Sequence, residues 1–102
     1  MLNSILKENL AQVNDLLHKH KVKRAYAFGS VTNDQFSADS DIDLLIAFEE
    51  GLDPLEYGDH YFQLAEQLEL LLKREVDLLT EKSLRNPYMI RKINRTKIAL
   101  YE

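Results

Sequence analysis

Three aspartates, a glycine and a serine carry the chemistry legible in this chain. The segment Gly29-Ser30-Val31-Thr32-Asn33-Asp34-Gln35-Phe36-Ser37-Ala38-Asp39-Ser40-Asp41-Ile42-Asp43 has the form Gly-Ser, ten residues, Asp-x-Asp. Side chains alternate across a strand, so Asp41 and Asp43 leave one face while Ile42, Leu44 and Ile46 point to the other, toward a core. Carboxylates this close raise each other's pKa unless a cation sits between them. Hard oxygen ligands select Mg²⁺ or Mn²⁺ over zinc or copper. Asp77, between Val76 and Leu78, can add a third carboxylate from a neighbouring strand. Three carboxylates can hold two metal ions about 3.5–4 Å apart, which activates an attacking hydroxyl and steadies a triphosphate for in-line displacement at phosphorus. Gly29-Ser30 at a strand end offers exposed backbone N–H groups, close approach and a hydroxyl donor for phosphate oxygens. An isolated Asp-x-Asp pair reads as a solvated strand end. Its combination with Gly29-Ser30 and Asp77 favours a metal site.

These residues need a sheet to position them. Leu2, Ile5, Leu6, Leu10, Val13, Leu16 and Leu17 recur at three- and four-residue spacing, which predicts an amphipathic helix over 2–20. Residues 24–28 read as a strand stopped by Gly29, and 42–48 as a strand buried on both faces. Asp53-Pro54 opens a helix running from about Leu55 to Leu72, with Asp53 as N-cap. Residues 76–79 form a third short strand, and Asn86-Pro87 opens a last helix. The tail Ile98-Ala99-Leu100-Tyr101 either continues that helix or docks alone. The expected architecture is α/β (α+β): a small mixed sheet of about three strands flanked by helices.

With 102 residues the chain is expected to be a single domain, 1–102, whose 45% apolar content and nine aromatics supply one core. Its apolar runs reach only three to five residues, so no membrane span or signal-peptide core is expected. The absence of cysteine excludes disulfides and thiolate metal sites and fits a reducing cytoplasm. The net charge of −4 is uneven: residues 25–81 hold fourteen acids against Lys73 and Arg74, and the flanks hold eleven bases against three acids. An acidic centre between basic ends suits a cation site beside an anion-binding rim, although differing solvated faces would read the same way. A pI near 5.3 disfavours direct nucleic-acid binding.

Other polar groups read more plainly. Asp34 and Asp39 are expected to cap the loop or face solvent. His18, His20 and His60 lack a convergent metal spacing, and His18 and His20 read as the crown of a helix end. Tyr57 and Tyr61 read as core or interface residues. Lys82, Arg85, Arg91, Lys92, Arg95 and Lys97 form a basic stretch, either a solvated face or a contact to a partner or nucleotide.

Gly29-Ser30, nine residues, then Ser40-Asp41-Ile42-Asp43-Leu44 resembles the signature of the polymerase-beta-like nucleotidyltransferase superfamily. In size and element order the chain is similar to its minimal nucleotidyltransferase (MNT) branch. The resemblance implies a nucleotidyltransferase fold, Mg²⁺ held by Asp41, Asp43 and Asp77, and ATP gripped at Gly29 and Ser30. It also implies a partner, since members of this branch often act as antitoxins that transfer AMP to a tyrosine of a HEPN-domain ribonuclease toxin. The loop after Gly-Ser departs from the family's usual small residue, Arg, Gly: here it reads Thr32-Asn33-Asp34. The missing positive charge would have to come from metal alone, from Lys73 or Arg74, or from a partner.

The reaction so implied is attack by a hydroxyl on the α-phosphorus of ATP with pyrophosphate leaving. Asp77 would accept or orient the hydroxyl proton while Asp41 and Asp43 bridge two metals. The acceptor is expected to be a partner protein, because one small domain has little material for a small-substrate pocket. The alternatives are transfer to a small-molecule hydroxyl, with a homodimer completing the pocket, an antitoxin that neutralises its partner by contact alone, and a metal-stabilised structural domain.

Overall fold

The computed structural model describes residues 4–32 and 40–102. The readings for Leu2, Asn33, Asp34 and Asp39 lie outside the described residues. The chain forms α1 (Ser4–Glu8), α2 (Leu10–Lys19), β1 (Val22–Phe28), a 3₁₀ turn (Gly29–Thr32), β2 (Ile42–Phe48) and α3 (Pro54–Leu72). It continues through β3 (Val76–Thr80), a second 3₁₀ turn (Glu81–Ser83), α4 (Pro87–Thr96) and β4 (Ile98–Tyr101).

The sheet order is β3-β2-β1-β4. β1 runs antiparallel to β2 and β4, and β2 runs parallel to β3. Parallel neighbours need a crossover, which the nineteen-residue α3 provides. α3 starts where expected: the Asp53 carboxylate accepts the Glu56 N–H at 2.9 Å, with Pro54 in the first turn. α4 begins the same way, Asn86 Oδ1 accepting the Tyr88 N–H at 2.9 Å. Lys73 closes α3 in the left-handed conformation, φ 56°, turning the chain directly into β3.

Period-2 alternation sorts the strands between two layers. Ala25, Ala27, Ile42, Leu44 and Ile46 face α1–α3 and join Leu6, Val13, Leu17, Leu64, Leu68 and Leu72 in the main core. Phe28 and Leu45 face the other way and pack with Ile93 of α4, flanked by Tyr26, Leu79 and Met89. The near-continuous apolar run of β2 is thus buried on both faces, as expected for an interior strand. Leu68 is fully buried. Leu68→Ala is expected to lower unfolding free energy by about 2–5 kcal/mol, read as a shift in the urea midpoint.

Two expectations were coarser than the structure. The first helix is interrupted at Asn9, whose side-chain amide donates to the Ile5 carbonyl at 2.8 Å, a local bond that competes with the helical ladder. The apolar tail forms a fourth strand, Tyr26 facing Ala99 and Ala27 facing Ile98 across the β1–β4 ladder. Among the described residues no helix is long and apolar enough to cross a membrane.

Candidate active site

The site lies where β1 ends and β2 and β3 begin. Asp43 is the register partner of Phe28 on one side and of Asp77 on the other. Strands so paired lie about 4.8 Å apart, so these two carboxylates share one patch. Both project from the face that α4 covers, because Asp43 lies two residues before Leu45 and Asp77 two before Leu79. Asp41 sits just ahead of β2, more exposed. Ser40 leads into it, with its carbonyl accepting from the Arg74 guanidinium at 3.1 Å, and the Ile42 N–H donates to the Glu75 carbonyl at 3.0 Å. The turn after α3 therefore holds the start of β2 and aligns it with β3.

Asp43 is the electrostatic centre. Its carboxyl is pushed from 3.8 to about 6, first by burial, then by the negative charge of Asp77; Lys92 of α4 pulls it down and Asp41 adds a smaller push upward. A half-buried carboxyl facing a second one is the environment that a divalent cation relieves. The donor chemistry fits a hard cation, with Asp43 and Asp77 as the close pair and Asp41 at the open edge. Among the described residues no three acidic, histidine or cysteine side chains already stand close enough to enclose a metal. The strand register pairs Asp43 with Asp77, and Asp41 lies just ahead of β2.

The turn after β1 is anchored from both sides. Val31 is fully buried in the main core, and the Thr32 hydroxyl donates to the Gly29 carbonyl at 2.6 Å. Gly29 adopts φ +76°, and a Cβ there would come within 2.7 Å of Asp43 Oδ2. Glycine is required twice, for the left-handed backbone and for the close approach of Asp43. Its N–H does not point outward as the sequence suggested: it donates to Thr96 Oγ1 of α4 at 3.0 Å. Ser30 is half-exposed beside it in the same turn.

α4 supplies what sequence reasoning assigned only loosely. Thr96 ties the helix to Gly29, and Lys92, one turn earlier, acts on Asp43. The only advance signal was membership of Lys92 in the basic stretch. His18 and His20 stand at the end of α2 as expected, in its last turn and at its C-cap. His20 is buried, its Nδ1 3.0 Å from Nδ1 of His60 and its Nε2 2.8 Å from Gln67 Oε1, so the pair pins α2 to α3 far from the carboxylates. His18 meets the Tyr101 hydroxyl at 2.9 Å. Tyr57 packs edge-on against Phe48, and the Tyr61 hydroxyl donates to the Leu78 carbonyl at 2.6 Å, both in core roles. A concavity lined by Arg24, Phe48, Tyr57 and Lys82 lies at the opposite strand ends. There Arg24 and Glu81 form a two-pronged ion pair at 2.6 and 2.8 Å.

Comparison with known proteins agrees with this geometry. The family profile "Polymerase beta, Nucleotidyltransferase" matches residues 11–102. A "Putative protein adenylyltransferase" of Methanocaldococcus jannaschii is 34% identical over 99 residues, covering 89% of this chain and 97% of that protein. A solved structure described as a "putative minimal nucleotidyltransferase" superposes with a TM-score of 0.75 at 35% identity, over 96% of this chain and 95% of the other. A chain from the Shewanella oneidensis complex of a tri-AMPylated HEPN toxin with its MNT antitoxin shares the fold, with a TM-score of 0.66 at 23% identity, over 93% of this chain and 71% of that one. The Gly-Ser turn, the paired carboxylate strands and these matches together show that the chain belongs to the polymerase beta nucleotidyltransferase family, as one of its minimal nucleotidyltransferases.

Proposed function

We propose that this nucleotidyltransferase transfers AMP from ATP to a hydroxyl of a partner protein, namely a tyrosine of a HEPN-domain toxin for which it serves as antitoxin. The observation that carries this reading is the register pairing of Asp43 with Asp77 beside the Gly29-Ser30 turn. The names of the related proteins, a protein adenylyltransferase and an MNT antitoxin beside an AMPylated HEPN toxin, supply the acceptor class.

Asp41, Asp43 and Asp77 would hold Mg²⁺, two ions when nucleotide is present. Bound there, the metal would neutralise triphosphate charge and lower the pKa of the attacking hydroxyl. Asp77, at the outer edge of the pair, orients that hydroxyl and takes its proton. Ser30 and the turn it occupies hold phosphate oxygens. Phe28, the register partner of Asp43, packs with Leu45 and Ile93 on the same face of the sheet. The new bond forms between the tyrosine oxygen and the α-phosphorus as the bond to pyrophosphate breaks.

The test is intact-mass analysis of the partner that co-purifies with the chain, before and after Mg²⁺ and ATP. Steps of one AMP on the partner, absent with Asp43→Asn, are expected. An unchanged mass on a partner that stays bound would sink the catalytic reading and leave neutralisation by contact. Steps on added small hydroxyl compounds alone would move the acceptor to that class.

A further inference from the structure

We infer that Lys92 of α4 is the side chain that contacts the phosphates of the nucleotide in this site, the role left open by the uncharged Thr32-Asn33 stretch after Gly29-Ser30. The inference rests on the nucleotidyl-transfer reading above and names a residue within it.

Position is the first argument. Ile93, the next residue, is buried against Phe28 and Leu45, and Phe28 is the register partner of Asp43. Thr96, one turn on, accepts the Gly29 N–H at 3.0 Å while its own hydroxyl donates to the Lys92 carbonyl at 3.0 Å. The backbone of Lys92 is thereby linked through one hydroxyl to the Gly-Ser turn, and its half-buried side chain starts from the helix face over the carboxylates.

The second argument is what Lys92 lacks. From Lys82 to Tyr101 the chain contains no acid, so α4 offers Lys92 no partner of its own. The ion pairs among the described residues are Lys21–Glu56, Lys23–Glu50 and Arg24–Glu81, none of which includes it. The two cations that sequence alone put forward are placed less well. Arg74 donates to the Ser40 carbonyl, and Lys73 is exposed at the left-handed end of α3. A flexible ammonium beside a carboxylate pair suits an anion that arrives with its own divalent cation, and a phosphate of Mg–ATP is such an anion.

The experiment is calorimetric titration of the 102-residue chain with Mg–ATP and with Mg–pyrophosphate, in wild type, Lys92→Gln, Lys92→Arg and Arg91→Gln. Arg91 is the exposed neighbour on the same helix and controls for a change in overall charge. Lys92→Gln is expected to weaken both ligands about 10- to 100-fold, the loss of one charge-assisted contact, with its melting temperature unchanged. Lys92→Arg should keep most of the affinity and Arg91→Gln nearly all of it. Equal binding by Lys92→Gln and wild type would overturn the inference and leave the nucleotidyl-transfer reading standing. Equal losses in Lys92→Gln and Arg91→Gln would also overturn it, by showing a general field rather than a contact. Failure of the wild type to bind either ligand would sink the reading itself, and the inference with it.

Discussion

Asp43→Asn is expected to abolish AMP transfer, by at least about a hundred-fold, while making the metal-free protein melt at a higher temperature at about pH 8. Both effects come from the same environment. Burial and Asp77 hold the Asp43 carboxyl at about 6 against an ordinary 3.8. The folded state thus favours the protonated acid. The stability this contributes is fully present below about pH 4 and is lost as pH rises through about 6, because the unfolded chain ionises freely. Asparagine imitates the neutral acid at every pH and escapes that loss. Asp43 is only half-buried, so solvent screening leaves about 1 kcal/mol of the effect, or about 4–8 °C in a domain of this size. The check is thermal unfolding of both proteins at about pH 5 and about pH 8, without metal and with Mg²⁺. The difference should shrink at the lower pH, and Mg²⁺ should stabilise the wild type more than the variant. A variant that melts below wild type at about pH 8 would mean that the Asp43 charge is compensated within the fold, and the case for a cation would weaken.

Gly29→Ala is expected to damage stability and activity together. The left-handed backbone, φ +76°, costs an L-residue about 1–2 kcal/mol. The new methyl would lie 2.7 Å from Asp43 Oδ2, so the carboxylate must shift from its position. A displacement of about 1 Å in a reacting constellation is worth about a hundred-fold in rate. Gly51 provides the control: its φ is +89°, but nothing lies within 4 Å of a Cβ placed there. Gly51→Ala should therefore show the loss of melting temperature without the loss of transfer. Equal transfer rates in the two variants would show that the contact with Asp43 does not matter.

The parts of the site that were legible in the sequence are those whose geometry is local. Asp43 had to leave the face opposite Ile42 and Leu44 because strand periodicity allows nothing else, although Asp41 lies just ahead of the strand, and Gly29-Ser30 had to stand at a strand end because glycine stops the run before it. The caps at Asp53 and Asn86 were readable because a side chain that accepts its own helix's N–H acts within three residues. The tail was not readable, since four apolar residues fit a helix or a strand equally. Its pairing with β1 made the choice.

By itself, then, the sequence determined the spacing of the candidate carboxylates, the helix starts and the alternation that turns one face of β2 toward the core. The tertiary structure decided which distant residues meet that pattern. Asp77 faces Asp43 because α3 carries the chain back into a parallel register. Thr96 reaches the Gly29 turn because Ile93 packs α4 onto Phe28 and Leu45. Neither encounter has a sequence period to announce it, because each depends on the packing of apolar surfaces that lie far apart along the chain.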